Sequence, residues 1–315
     1  MTQTPILTLT LNPALDMATE VHDLVPGHKL RCSEPLLDPG GGGLNVSRAI
    51  KSLGGDSLAL VAIGGLTGDR LAGLIRAEGV TFLSILGPGE TRQSLTVNEV
   101  ATGKQYRFML PGPVWGEAER SRVFTLLRAT ARPGGISVIS GSQPPGVPVD
   151  FPAQLAASMP ESRIVLDTSG ATLTEAVRHP IPGLEVLRMD GEEGESLAGR
   201  PLPTREDTAE FAQSLVRAGV ARTVIVARGA EGNVLADKDS RLFANAAKVR
   251  VKSTVGAGDS FVAAFVLALS RGQSHAEALA LGSAAASAAV TTDATQLCRP
   301  EDVMRLLPEC VVSQV

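Results

Sequence analysis

The chain has 315 residues, 43% of them apolar, with 29 Lys plus Arg against 33 Asp plus Glu and a formal charge of −4. That length holds one large domain or two ordinary ones, and the apolar fraction supports a substantial core. A mildly acidic balance without Lys/Arg runs excludes a broad nucleic-acid surface. The Ala-rich segment 276–290 is broken by Glu277, Gly282, Ser283 and Ser287 and falls short of the about 20 apolar residues of a membrane span. The N-terminus has no basic stretch, so no signal peptide is expected, and a cytoplasmic location is. Cys32, Cys298 and Cys310 are too few and too scattered for a disulfide framework or a zinc knuckle, and reduced buried thiols are expected.

In chain order, the apolar run Ile6–Leu11 predicts a strand. Val46, Ala49, Ile50 and Leu53 then share one helical face. Leu58–Ile63 predicts a strand, Asp69–Ala77 and Glu117–Ala131 helices, and Ile136–Ser140, Ile164–Asp167 and Leu184–Leu187 strands. Helix Arg205–Ala218, strand Thr223–Ala227 and helices Asp259–Leu269 and Ala276–Ala289 complete the series. Continuous apolar strands alternating with helices predict an α/β fold with a mostly parallel sheet covered on both faces. Two stretches, about 17–35 and 91–110, break the rhythm. Their mixed and alternating patterns predict strands of a small β lid attached to a single domain spanning 1–315. Its uncovered apolar face predicts a homodimer.

The chemistry concentrates in five places. In Thr254-Val255-Gly256-Ala257-Gly258-Asp259, small residues expose backbone N–H groups at a helix start beside a carboxylate. Such a start holds an anion, and Asp259 can take the proton of an attacking hydroxyl, which together suit phosphoryl transfer. Walker A and dinucleotide fingerprints are absent. In Asp38-Pro39-Gly40-Gly41-Gly42-Gly43-Leu44-Asn45, four glycines suit close approach of backbone to a ligand, with Asn45 and nearby Asp16 able to hold sugar hydroxyls. Lys29 and Arg92, one in each lid segment, fit a phosphate on that ligand. Arg188, Asp190 and Glu193 follow a predicted strand and suit a metal–phosphate site, directly or through water, with a charged helix start as the alternative. Gly229 and Gly232 follow another strand, where a nucleotide loop and a plain hairpin are both open readings.

Gly40–Asn45 and Thr254–Asp259 resemble the two signatures of the phosphofructokinase B family of ribokinase-like sugar kinases. Asn12–Asp16, Thr91–Gln93 and Ser140–Gly146 extend the resemblance over most of the chain. It implies a three-layer α/β/α core with a β lid, ATP with Mg²⁺, and a phosphorylated ketohexose, fructose 6-phosphate, as acceptor. Tagatose 6-phosphate and fructose 1-phosphate are alternative acceptors, and a non-catalytic sugar-phosphate sensor is the alternative of another class. The resemblance makes Asp259 the base and Gly256, Ala257 and Gly258 the anion hole. It assigns Asp16, Gly41, Gly42, Asn45 and Ser142 to the sugar, and Lys29 and Arg92 to its phosphate. Thr254, Arg188, Asp190, Ala227, Gly229 and Gly232 fall to the nucleotide, and Asp190 and Glu193 to Mg²⁺. The family usually has Lys-Pro-Asn and then Glu where this chain has Arg188, Met189, Asp190 and Glu193, and Ser at Ala227. In the cation loop Val290–Gln296, Thr292, Ala294 and Gln296 replace Asn, Gly and Arg, which leaves K⁺ open.

Overall fold

A computed structural model describes residues 3–293 and 295–315. A ten-stranded sheet runs in the order β14-β13-β12-β11-β10-β9-β8-β1-β4-β5. Its parallel part is β5 (Phe82–Leu86), β4 (Leu58–Ile63), β1 (Ile6–Thr10), β8 (Ile136–Ser140), β9 (Arg163–Asp167), β10 (Val186–Met189) and β11 (Thr223–Ala227). β12 (Gly232–Ala236), β13 (Arg241–Asn245) and β14 (Val312–Gln314) extend one edge antiparallel. From β1 the chain winds first toward β5 and later toward β11, so the topology reverses between β1 and β8. Ligand crevices open at such a point, beyond the carboxyl ends of the strands.

Helices cover both faces because the central strands are apolar on both. β1 is buried throughout, as are Leu60 and Val61 on opposite sides of β4. One face carries α3 (Glu117–Thr130), α4 (Phe151–Ala157), α5 (Gly170–Arg178), α6 (Gly191–Ala198) and α7 (Arg205–Arg217). The other carries α1 (Gly42–Ser52), α2 (Gly65–Ala77), α8 (Ala257–Ser270), α9 (His275–Ala289) and α10 (Pro300–Leu306). α8 is buried from Ser260 to Ser270, and α9 packs against it. At Gly282 a side chain would stand 2.8 Å from the Phe261 ring. Gly282→Val is therefore expected to cost about 1–3 kcal/mol through overpacking. A fall in the urea midpoint with an unchanged slope checks it.

The second sheet has the order β3-β2-β6-β7, with β2 (Ala14–Val21), β3 (Leu36–Gly40), β6 (Arg92–Glu99) and β7 (Lys104–Met109). Lid strands predicted within 17–35 are displaced: β2 begins earlier and residues 22–35 are irregular, including Lys29 and Cys32. A loop forms there because β2 and β3 pair back on each other, leaving the intervening segment outside the sheet. Leu36, Phe108, Met109 and Leu110 stay exposed on the lid. All three cysteines are free, but only Cys298 and Cys310 are buried, and Cys32 is exposed on the irregular segment. Burial pushes the Cys298 thiol up to about 11. Among the described residues no helix is long and apolar enough to cross a membrane.

Candidate active site

The carboxyl ends of β1, β8, β9 and β10 face the N-terminus of α8 and the glycine loop before α1. Gly256 caps α8 with φ of 73° and contributes no side-chain acceptor, so the first-turn N–H groups of Ala257, Gly258 and Asp259 form a bare donor cluster. Gly258 has a second reason to lack a side chain: a Cβ there would stand 3.0 Å from Nη1 of Arg188. Arg188, near the end of β10, donates from Nη1 to Asp167 Oδ1 at 3.2 Å. Its Nε is buried and finds no partner among the described residues. The helix start and this guanidinium thus bring two sources of positive potential to one spot.

Asp259 lies in the first turn of α8. Burial, and then the charge of Asp167, push its carboxyl up to about 6, against the hydrogen bond from Asn45 and the charge of Arg188. Asn45 Nδ2 donates to Asp259 Oδ2 at 2.8 Å, while Asn45 Oδ1 accepts from Arg48 at 3.1 Å. Asp16, on β2, is also held above the ordinary carboxylate range by burial, opposed by the Ser94 hydroxyl and by Arg92. Arg92 donates from Nε to the Asn12 carbonyl at 3.1 Å. Asn12 donates to Ser142 Oγ, also at 3.1 Å. Lys29 does not join this group: it is exposed and makes no hydrogen bond or ion pair among the described residues.

The glycine loop is tight for a different reason than close ligand approach alone. A side chain at Gly40 would strike the Asp16 carboxylate, at Gly42 the Ser140 hydroxyl and Gly141, and at Gly43 the Leu9 carbonyl. Gly41, with φ of 121°, faces Thr10 and Pro13. The glycines therefore let α1 start directly on the ends of β1 and β8.

Asp190 and Glu193 form the capping box of α6: Glu193 N donates to Asp190 Oδ1 at 2.9 Å and Asp190 N to Glu193 Oε2 at 2.8 Å. Burial raises the Glu193 carboxyl. Among the described residues no cluster of three or more His, Cys, Asp or Glu could cage a metal. One oxygen of each carboxylate remains outside the cap bonds, which fits Mg²⁺ held through its own waters. Ala227 ends β11, Thr254 is exposed before α8, and Gly229 opens a short helical turn into the β11–β12 hairpin. Gly232 has φ of 135° and abuts the Ala244 carbonyl, so its glycine serves the hairpin.

The cation loop packs on the α8 cap, where Leu297 lies against Gly256. Several of its described groups bond within the protein. The Val290 carbonyl accepts from Lys252 and Ser253. Thr292 Oγ1 lies 2.7 Å from the Ala289 carbonyl and 2.8 Å from that of Gln296. Lys252 pairs with Asp293 at 3.1 Å. Ala294, one of the altered positions, lies outside the described residues.

Sequence reasoning missed Asp167, Arg48 and Asn12 as site residues. Asp167 had a usable signal, an acidic residue at the carboxyl end of a predicted strand. Arg48 had none, because its partners come from three separate elements.

The model of the pfkB family of carbohydrate kinases matches residues 9–302. The ATP-dependent 6-phosphofructokinase isozyme 2 of Mycobacterium tuberculosis is 40% identical over 302 residues, covering 95% of this chain and 88% of that protein. Its Escherichia coli counterpart is 39% identical over 304 residues, covering 96% and 97%. E. coli phosphofructokinase-2 solved in complex with fructose-6-phosphate superposes with a TM-score of 0.91 at 36% identity, covering 98% of this chain and 99% of that one. The same protein has been solved in complex with potassium. Arabidopsis thaliana ribokinase, at 20% identity and a TM-score of 0.72 over 97% and 99% of the chains, shares the fold.

The partner expectation needs correction. The inhibited form of the E. coli protein is tetrameric, so a homodimer through the lid does not stand as the assembly. An exposed apolar face asks to be covered, but it carries no count of subunits. With a matching family model over nearly its whole length and relatives well above 30% identity, the chain belongs to the pfkB family of carbohydrate kinases.

Proposed function

We propose that this protein transfers the γ-phosphoryl group of ATP to the C1 hydroxyl of fructose 6-phosphate, giving fructose 1,6-bisphosphate and ADP. The observation that carries the reading is the largely desolvated Asp259 carboxylate in the first turn of α8, beside bare helix N–H groups and the Arg188 guanidinium. Support for the acceptor comes from the 6-phosphofructokinase relatives and from Arg92 beside Asp16.

In this reading the sugar lies between the lid and the glycine loop. Asp16, Ser142, Gly41 and Gly42 line its hydroxyl side, Arg92 meets its phosphate, and Lys29 swings in from the irregular lid segment. Asp259 accepts the proton of the C1 hydroxyl as the oxygen–phosphorus bond forms. The bond from the γ-phosphorus to the β–γ bridging oxygen breaks, and ADP leaves with that electron pair. Backbone N–H groups of Gly256–Asp259 and the Arg188 guanidinium stabilise the charge on the transferring oxygens. The nucleotide runs over Thr254, Ala227 and the Gly229–Gly232 turn.

Asp190 and Glu193 would hold Mg²⁺ through water. Bound there with ATP, the ion would supply charge neutralisation for the phosphates. No step is routed through K⁺.

Initial rates with ATP across fructose 6-phosphate, tagatose 6-phosphate and fructose 1-phosphate, with and without K⁺, test the reading. The highest kcat/KM is expected with fructose 6-phosphate. Preference for fructose 1-phosphate would overturn the acceptor, and binding without ADP release would make the protein a sensor. A rise in rate on adding K⁺ would assign the ion to the altered loop, and equal rates would remove it from the reading.

A further inference from the structure

Arg48 lies in the interior of α1, 9% exposed, with no surface of its own to meet a ligand. A buried guanidinium needs acceptors on every side, and here they come from three elements. Its Nε and Nη2 grip the Glu78 carboxylate at the end of α2, at 2.6 and 2.7 Å. Nη1 donates to the Pro39 carbonyl on β3 at 2.7 Å and to Asn45 Oδ1 at 3.1 Å. Nη2 also stands 3.6 Å from Asp38 Oδ1.

The bond to Asn45 has a consequence for the base. Asn45 and Arg48 are three residues apart on α1 and share a face. A guanidinium has only donors, so the atom of Asn45 that faces it must be the oxygen. The amide nitrogen is then forced toward Asp259 Oδ2, where it donates at 2.8 Å. An ionised Asp259 asks for the same orientation, but a protonated one can donate to the amide oxygen instead, and Arg48 holds the amide in place through both states. With Oδ2 engaged by Asn45, Oδ1 is the freer oxygen for the proton of an incoming hydroxyl.

We propose that Arg48 is a positioning residue for phosphoryl transfer: anchored by Glu78, it locks the Asn45 amide so that Asp259 is held as a base through one oxygen and receives the proton on the other. The proposal rests on Asp259 being the base. The same guanidinium ties the Pro39 carbonyl, and with it the glycine loop, to that setting. Loop and base are thus referred to one rigid point, and misplacement of reacting groups by an ångström costs up to about 10²-fold in rate.

The test uses kcat/KM for the sugar phosphate against pH at saturating ATP. The groups facing Asp259 are Asn45 on α1, Asp167 on β9, Arg188 on β10 and Asp16 on β2. Of these, only Asn45 touches Arg48. The substrate phosphate titrates near pH 6 as well, but identically for every variant, so the readout is the difference from wild type. In Arg48→Met a freed Asn45 no longer donates steadily to Asp259, which removes an interaction that lowers the carboxyl. The acid limb is expected to move to higher pH, with a roughly tenfold fall in kcat.

Asn45→Ala should shift the limb in the same direction, and the double variant should shift it no further than Asn45→Ala alone. Should Arg48→Met not fold, Arg48→Lys serves. It keeps a charge for Glu78 but loses the fork that reaches Glu78, Pro39 and Asn45 together, and the same limb shift is expected. A limb at the wild-type pH in a folded variant, or limb shifts that add strictly in the double variant, overturns the role of Arg48. A wild-type protein that releases no ADP with sugar phosphate overturns the kinase reading itself, so the two failures are distinguishable.

Discussion

Asp259→Asn is expected to lower kcat by about 10²–10⁴-fold, the range a positioned base contributes, and at the same time to stabilise the protein above pH 6. The first effect follows from removing the proton acceptor. The second follows from the carboxyl's own energetics. Burial pushes Asp259 up to about 6, above an unfolded aspartate near 3.9. Keeping it ionised therefore costs folding free energy, roughly 2–3 kcal/mol once the pH exceeds both values. The stability associated with its neutral form is present at low pH and is lost as pH rises through about 6. An asparagine has no charge to desolvate and still accepts from Asn45 Nδ2. The difference in Tm between variant and wild type should thus be small at pH 4, grow between about pH 4 and 6 and level off above. Thermal melts across that range with parallel ADP-release assays check both halves. Near-normal turnover in a folded variant would sink the base assignment.

Arg188→Met should be damaging in two separable ways. It leaves Asp167 half-buried beside Asp259 with its ion pair gone. Removing one partner of a buried pair costs about 3–5 kcal/mol, or on the order of 10 °C in Tm for a chain of this size. It also removes a donor aimed at the anion site, for which a loss of about 10²–10³-fold in kcat is expected. A second substitution separates the effects. Asp167→Asn combined with Arg188→Met removes the carboxylate that loses its ion pair, so part of the Tm should return while kcat stays low. Recovery of both would reduce the pair to a structural feature without a share in catalysis.

Much of the site was legible because its parts are local in sequence. A glycine-rich turn, a helix start and an acid in the first turn occupy consecutive residues in Gly256–Asp259, and their geometry follows from neighbours alone. Likewise the helices Glu117–Thr130 and Arg205–Arg217 lie within a residue of where periodicity predicts them. Other elements escaped for a common reason. α2 begins at Gly65, four residues before the predicted Asp69, because the Glu90 carboxylate accepts from Leu66 N and Thr67 N. That cap arrives from more than twenty residues downstream. β10 starts two residues late because Leu184 N closes a turn onto the Ile181 carbonyl. Asp190 and Glu193 read equally as metal ligands or as a helix cap, and only the paired bonds between them show the cap.

By itself, then, the sequence determined the layered α/β architecture, the glycine-capped helix start and the identity of the carboxylate beside it. Short-range backbone chemistry and hydrophobic period encode those features. Tertiary structure alone decided that Gly40, Gly42 and Gly43 are small because β1, β2 and β8 press on them, and that Arg48 holds Asn45 against Asp259. It also decided that the Asp259 carboxyl rises to about 6. Each of these depends on desolvation or on contacts between residues tens to hundreds of positions apart, and such distances in sequence carry no local signal.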